Sequence, residues 1–145
     1  SRLAVQRRRG VTAVVLGFGR NPALAGLKTA NYLDGVLGRR TAAAAGADDG
    51  LFVDARGRLT ESTTANLFVV RGGVLHTAPA GTVLPGVTRA GVLDLAAGLG
   101  WRVREQAVPR RWLATAEECF LTSSLAEIVP LVAIDGRPIG NGRPG

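Results

Sequence analysis

The sequence holds one cysteine, one histidine and one lysine in 145 residues. A lone Cys119 excludes an intramolecular disulfide and a cysteine-based zinc site. With His76 as the one histidine, a His-rich metal site or a Ser-His-Asp triad has little material. His76 stands in "VLHTAP" at the end of an expected strand and reads as structural. Aromatic residues make up 5% of the chain, so stacking platforms for single-stranded nucleic acid are scarce. The longest apolar runs, such as "VTAVVLGF" from Val11 to Phe18, are too short to span a bilayer. No charged-then-apolar leader with a cleavage site is seen, so no secretion signal is expected. The expected location is the cytoplasm, with no membrane partner.

The composition is globular: 46% hydrophobic and 20% charged. One domain with a real core is expected at this length. The net charge is +7, which raises the question of nucleic acid. The arginines are scattered, as Arg7 to Arg9, Arg39 with Arg40, and Arg110 with Arg111. No zinc-finger spacing or RNA-recognition motif accompanies them. With abundant Ala and Gly, the arginine excess reads as biased codon usage, and no nucleic-acid partner is expected.

Against 17 arginines, the single Lys28 stands out. Arginine stays protonated and cannot act as a nucleophile at neutral pH. A lysine amine can lose its proton when buried or placed near other cations, and it can then attack a carbonyl.

Along the chain, residues 1–10 are polar and basic and are expected to form a linker or a frayed strand. "VTAVVLGF" reads as a strand and "GRNPALAGL" as a loop. From about Asn31 the spacing turns helical, with Tyr32, Leu33, Val36, Leu37 and Thr41 to Ala45 on one face and Gly46 as the stop. Lys28 is thus expected where a loop meets the core, just before a helix. "GLFVDARGRLTE" predicts two strands about a turn at Arg56-Gly57. "NLFVVRGGVLHT" predicts a hairpin around Gly72-Gly73. "VTRAGVLDLAAGLG" predicts an amphipathic helix. "WRVREQAV" alternates like one half-buried strand, and "PRRWLATA" predicts a short helix opened by Pro109. "EECFLTSS" and "AEIVPLVAIDGRPIG" predict two more strands and an Asp-Gly turn. The class is mixed α/β, without internal repeats.

Four features carry possible chemistry: Lys28, Glu61 at a strand end in "LTESTTANLF", the helix start Val87-Thr88 after "LPG", and the hydroxyl cluster Thr122 to Ser124. The first N–H groups of a helix lack partners and favour an anion. A nucleophilic amine suits an aldehyde, a carboxylate can pair with a ring nitrogen, and a helix start with hydroxyls can hold a phosphate. Pyridoxal 5′-phosphate has all three groups.

The segments "LKTANYL", "GRLTESTTANLFVVRGGVLHTAP", "LPGVTR", "EECFLTSSLAEIVPLVAIDG" and "IGNGRPG" together resemble the fold-type IV pyridoxal-phosphate enzymes, the class IV aminotransferases. That family includes branched-chain-amino-acid aminotransferase, D-amino-acid aminotransferase and 4-amino-4-deoxychorismate lyase. The resemblance implies the large cofactor-binding domain of these enzymes and a homodimer, with an amino acid and a 2-oxo acid as small-molecule partners. It implies that Lys28 forms the aldimine with the cofactor and shuttles the substrate proton. It implies that Glu61 pairs with the pyridine nitrogen, that Val87, Thr88 and Ser124 hold the phosphate, and that the Leu125 N–H meets the substrate carboxylate. Tyr32 resembles the aromatic that touches the cofactor's ring oxygen. Asn66 fits a family position and is expected to be structural. In the family a small N-terminal domain precedes the lysine by about a hundred residues, and a last helix follows. Against that pattern, residues 1–27 are expected to be a linker and leading strand and 28–145 the cofactor-binding domain, truncated at the C-terminus, with the small domain absent. Branched-chain transamination leads. A lyase forming pyruvate and 4-aminobenzoate, and a non-catalytic remnant, stay open.

Overall fold

The run "NLFVV" is buried on both faces, and the fold is built around it. In the computed structural model, which describes residues 2–145, it forms strand β4 (Asn66–Arg71). Leu67 and Val69 enter one apolar core with Leu51, Leu121 and Leu131. Phe68 and Val70 enter a second, with Leu75 and Ala96. Alternation puts neighbours on opposite faces, so a strand covered on both sides reads as a continuous apolar run. Phe68 stacks on its cross-strand partner Phe120 at 4.9 Å between ring centres.

The elements follow in the order α1 (Arg2–Arg9), β1 (Val11–Val15), α2 (Leu33–Ala44), β2 (Asp49–Val53), β3 (Arg58–Ser62), β4, β5 (Val74–Thr77), α3 (Val87–Gly98), β6 (Arg102–Glu105) and β7 (Val108–Pro109). A 3-10 helix (Arg110–Thr115), β8 (Glu118–Ser123), β9 (Glu127–Ile134) and β10 (Arg137–Pro138) complete the chain. The strands pair in the order β6-β5-β4-β8-β9-β1-β2-β3-β7, with β10 beside β9. A further pairing of β3 with β4, through Glu61 and Asn66, closes β4-β8-β9-β1-β2-β3 into a ring. The two turns expected from Gly-Gly and Asp-Gly are present. Gly72 and Gly73 have φ of 60° and 66°, and Asp135 and Gly136 have 51° and 73°. Positive φ at both central positions is what a two-residue hairpin turn with the strands' own twist requires.

Three expectations are corrected. Residues 2–9 form a helix rather than a linker or frayed strand. Its Arg7 ties it to the body, bonding the Ala126 carbonyl and pairing with Glu127 at 3.1 Å. Second, α2 does not bury its apolar stripe. Tyr32 just before the helix and Leu33, Val36 and Leu37 within it are exposed, and the buried positions are Gly38 and Ala42. Small residues let the helix backbone approach the sheet: a Cβ at Gly38 would crowd Thr63 and Leu16. Third, "WRVREQAV" is not one strand. β6 is an edge strand against β5, with Val103 its one inward residue, while β7 leaves to pair with β3.

Candidate active site

All seven residues singled out above, Lys28, Tyr32, Glu61, Val87, Thr88, Ser124 and Leu125, line one cavity of about 590 Å³. That is the size of a small-molecule site. Its floor is buried and its rim is open. On the floor, Glu61, Asn66 and Thr122 stand side by side across β3, β4 and β8, each opposite the next in register. On the rim, Lys28, Tyr32, Val87, Ser124 and Leu125 are exposed, with Leu125 at 85%. Lys28 does lie on the loop before a helix, but at the cavity's edge rather than in the core.

The two Glu61 oxygens differ. Oε2 accepts from Asn66 Nδ2 at 3.4 Å and from the Leu84 N–H at 3.3 Å. Oε1 lies 3.1 Å from Arg20 Nε, but the two are not aligned as a hydrogen bond, and each is buried without a hydrogen-bond partner. Burial lifts the Glu61 carboxyl to about 7; the nearby Arg20 charge and the Leu84 N–H pull the other way. Thr122 Oγ1, also on the floor, is buried and unpartnered as well.

Asn66 fixes the next wall. Its Nδ2 donates to the Leu84 carbonyl at 2.9 Å, which holds the "LPG" loop against the floor. Gly86 then caps α3 with extended backbone and no side-chain cap bond. The helix therefore presents its first N–H groups, at Val87 and Thr88, toward the cavity they line. Negative charge is favoured there. Ser124 and Leu125 form the facing turn between β8 and β9, where Ser123 Oγ accepts from the Ala126 N–H and shapes the bend.

Several lining residues were not foreseen. Arg20 is the foremost, and it stood in an Asn-Pro loop that gave no sign of reaching a carboxylate. Thr63 was part of the hydroxyl run after Glu61, yet its partners were illegible. Its hydroxyl donates to Asp49 and accepts from Arg39, and its carbonyl accepts from Arg20. Leu3 and Gln6 reach the cavity because residues 2–9 form a helix. Among the described residues no cluster of His, Cys, Asp and Glu could hold a metal, and no helix is long and apolar enough to cross a membrane.

The sequence and the fold have counterparts. The chain is 40% identical over 116 residues to the branched-chain-amino-acid aminotransferase of Escherichia coli (strain K12), a match over 79% of this chain and 38% of that protein. The T.th. branched-chain amino acid aminotransferase, solved with pyridoxamine 5′-phosphate, superimposes with a TM-score of 0.89 at 36% identity. That match covers 96% of this chain and 47% of the other. A provisionally assigned 4-amino-4-deoxychorismate lyase from Legionella pneumophila superimposes with a TM-score of 0.86 at 32% identity, over 91% of this chain and 50% of the other. The chain thus spans half or less of the length of these proteins. The family profile described as amino-transferase class IV matches residues 5–134, which take in the amine, the buried carboxylate and the α3 N-terminus alike. With that match and these shared folds, the mixed α/β chain belongs to the class IV amino-transferases.

Proposed function

We propose that the chain forms the cofactor-binding part of an enzyme that uses pyridoxal 5′-phosphate to move an amino group between a branched-chain or similar amino acid and a 2-oxo acid. One observation carries this reading: an amine, a buried carboxylate with one unsatisfied oxygen, and a helix N-terminus all line one cavity of suitable size. The buried Glu61 Oε1 lacks a donor, and a pyridine N–H is one. Gly86 leaves the helix start open to close approach by a phosphate. The residues present therefore fit the group.

When bound, pyridoxal phosphate supplies an aldehyde for an amine and a ring that stabilises negative charge at the substrate α-carbon. Each residue of this chain then has a task. Lys28 contributes the primary amine, and its Nζ takes the α-proton and returns it. Glu61 Oε1 accepts the ring N–H, and Asn66 with the Leu84 N–H holds that carboxyl in place through Oε2. The N–H groups of Val87 and Thr88, with the Thr88 and Ser124 hydroxyls, hold the phosphate. The Leu125 N–H meets the substrate carboxylate, and Tyr32 reaches the ring oxygen from the rim. Residues 28–145 carry the amine, the carboxylate and the phosphate-facing helix start, and the preceding residues complete the same unit through β1, which lies between β9 and β2, and through Arg20.

A homodimer in the cytoplasm accompanies this reading. The exposed apolar residues along the rim, Leu27, Tyr32 and Leu125, suit cover by further protein. A second reading, pyruvate elimination to 4-aminobenzoate, draws on the lyase-like fold match and the "LTSSLAEIVPL" segment. Product analysis separates the two, since the lyase releases pyruvate from an aminodeoxychorismate and needs no amino acceptor.

The test is to add pyridoxal phosphate to this chain, reduce with borohydride and map the labelled peptide by mass spectrometry. A label at Lys28 is expected. A label elsewhere, or none when the coding region is extended to the length of the relatives, overturns the assignment.

A further inference from the structure

Arg20 leaves the loop after β1 and reaches the cavity floor beside Glu61. Its Nη2 donates to the Thr63 carbonyl at 2.9 Å, and its guanidinium carbon lies 5.2 Å from the centre of the Phe52 ring. These contacts fix its Nε 3.1 Å from Glu61 Oε1, charge against charge without a hydrogen bond. In a charge-assisted hydrogen bond the N–H would point at the oxygen, and here it does not. Here Oε1 meets a fixed positive charge and still has room to accept from a third group.

The other charged or titratable groups on the cavity are Lys28, Tyr32, Arg39, Asp48 and Asp49. Arg39 and Asp49 face each other at 3.6 Å, and Asp48 accepts from the Thr12 N–H and hydroxyl. Among the described residues, Arg20 is the charge paired with Glu61.

We propose that Arg20 is a positioning residue that keeps the shared proton on the ring nitrogen of a bound pyridine rather than on Glu61 Oε1. The proposal rests on the reading that the cavity takes pyridoxal phosphate. A buried carboxylate gives up hydration and so holds a proton tightly. Left to burial alone, Glu61 would keep its proton, and its hydroxyl would donate to a neutral ring nitrogen. A guanidinium is always charged. Beside Oε1 it makes the carboxylate the weaker base, and the same proton sits on the nitrogen instead. A protonated ring draws electrons better, so Arg20 acts on the reaction through Glu61.

The first readout needs no cofactor. Carbon-13 NMR of the Glu61 carboxyl, assigned by its loss in Glu61→Gln, gives the titration midpoint in this chain. Arg20→Met keeps the apolar stem against Phe52 and removes the charge. Its midpoint is expected to rise by about one pH unit or more, while Arg20→Lys stays near the parent value. An unmoved midpoint in Arg20→Met overturns the proposal. If that variant does not fold, Arg20→Gln, which retains a donor for the Thr63 carbonyl, carries the same measurement.

The second readout uses pyridoxal phosphate labelled with nitrogen-15 in the ring. Its signal is expected to move toward the unprotonated range in Arg20→Met and to return in Arg20→Lys. Borohydride labelling of the same samples separates the two ideas. Label at Lys28 with an unmoved ring signal sinks the role of Arg20 alone. No label in any variant sinks the cofactor reading, and with it this proposal, even where the Glu61 midpoint moves.

Discussion

Asn66 stands so close to Gly86 that a Cβ at position 86 would overlap its side-chain oxygen. The same amide holds the Leu84 carbonyl and touches Glu61. The glycine is therefore fixed by proximity, since its backbone angles suit any residue. Gly86→Ala is expected to push Asn66 or the helix start aside, at about 1–3 kcal/mol of stability. It should also weaken cofactor binding, because the α3 N-terminus moves with it. Urea unfolding and an absorbance titration with pyridoxal phosphate check the two effects.

Lys28 is exposed and makes none of the hydrogen bonds or ion pairs described above. Lys28→Arg is expected to leave unfolding within about 0.5 kcal/mol of the parent. The borohydride label should vanish, because a guanidinium cannot join an aldehyde as a primary amine does. Transamination in the full-length context should vanish with it. A variant that retained turnover would remove Lys28 from the chemistry.

Local signals carried much of the fold, and long-range contacts set the limit. The Gly72-Gly73 and Asp135-Gly136 turns were legible because each needs residues that tolerate positive φ. The helix start at Val87 was legible from its Pro-Gly approach. The orientation of α2 was not. Its bulky stripe promised a buried face, but Gly38 and Ala42 allow closer packing on the other side. The split of "WRVREQAV" was hidden too, because partner choice at β7 depends on β3, about fifty residues earlier. In the site, the residues carried by the family resemblance line one cavity, while Arg20 went unseen. A loop arginine declares its partner only once the loop is placed.

His76 offers a pH test away from the cavity. It is buried against Trp112, with 4.8 Å between ring centres, and its Nδ1 contacts Gln106 Nε2 at 3.0 Å. Burial, then the charges of Arg71 and Arg104, hold it below the ordinary 6.5, outweighing a backbone hydrogen bond that acts the other way. The folded chain thus binds this proton less readily than the unfolded one. Stability is lost as pH falls through 6.5 toward the lower folded value. His76→Phe keeps an aromatic beside Trp112 and removes the titration. Thermal melts between pH 7 and pH 5 should show a smaller fall in Tm than in the parent, though from a lower start, since Gln106 loses its partner.

Glu61 gives the opposite slope. Its folded value of about 7 lies above the ordinary 4.5. Between those values the folded chain holds a proton that the unfolded chain has released. The stability this group adds is complete below about pH 4.5 and declines as pH rises to about 7. Above that it is gone, because the buried carboxyl must then be ionised in the fold. The span corresponds to roughly 3 kcal/mol. Glu61→Gln cannot ionise, so the unfolding free energy of this variant should fall less between pH 5 and pH 8 than that of the parent. If the two chains show the same pH profile, burial does not hold the Glu61 proton. Pyridoxal phosphate adds an independent check. By giving Oε1 an N–H donor it favours the carboxylate, so cofactor should flatten the profile more in the parent than in Glu61→Gln, where only the pH dependence of cofactor binding itself is added.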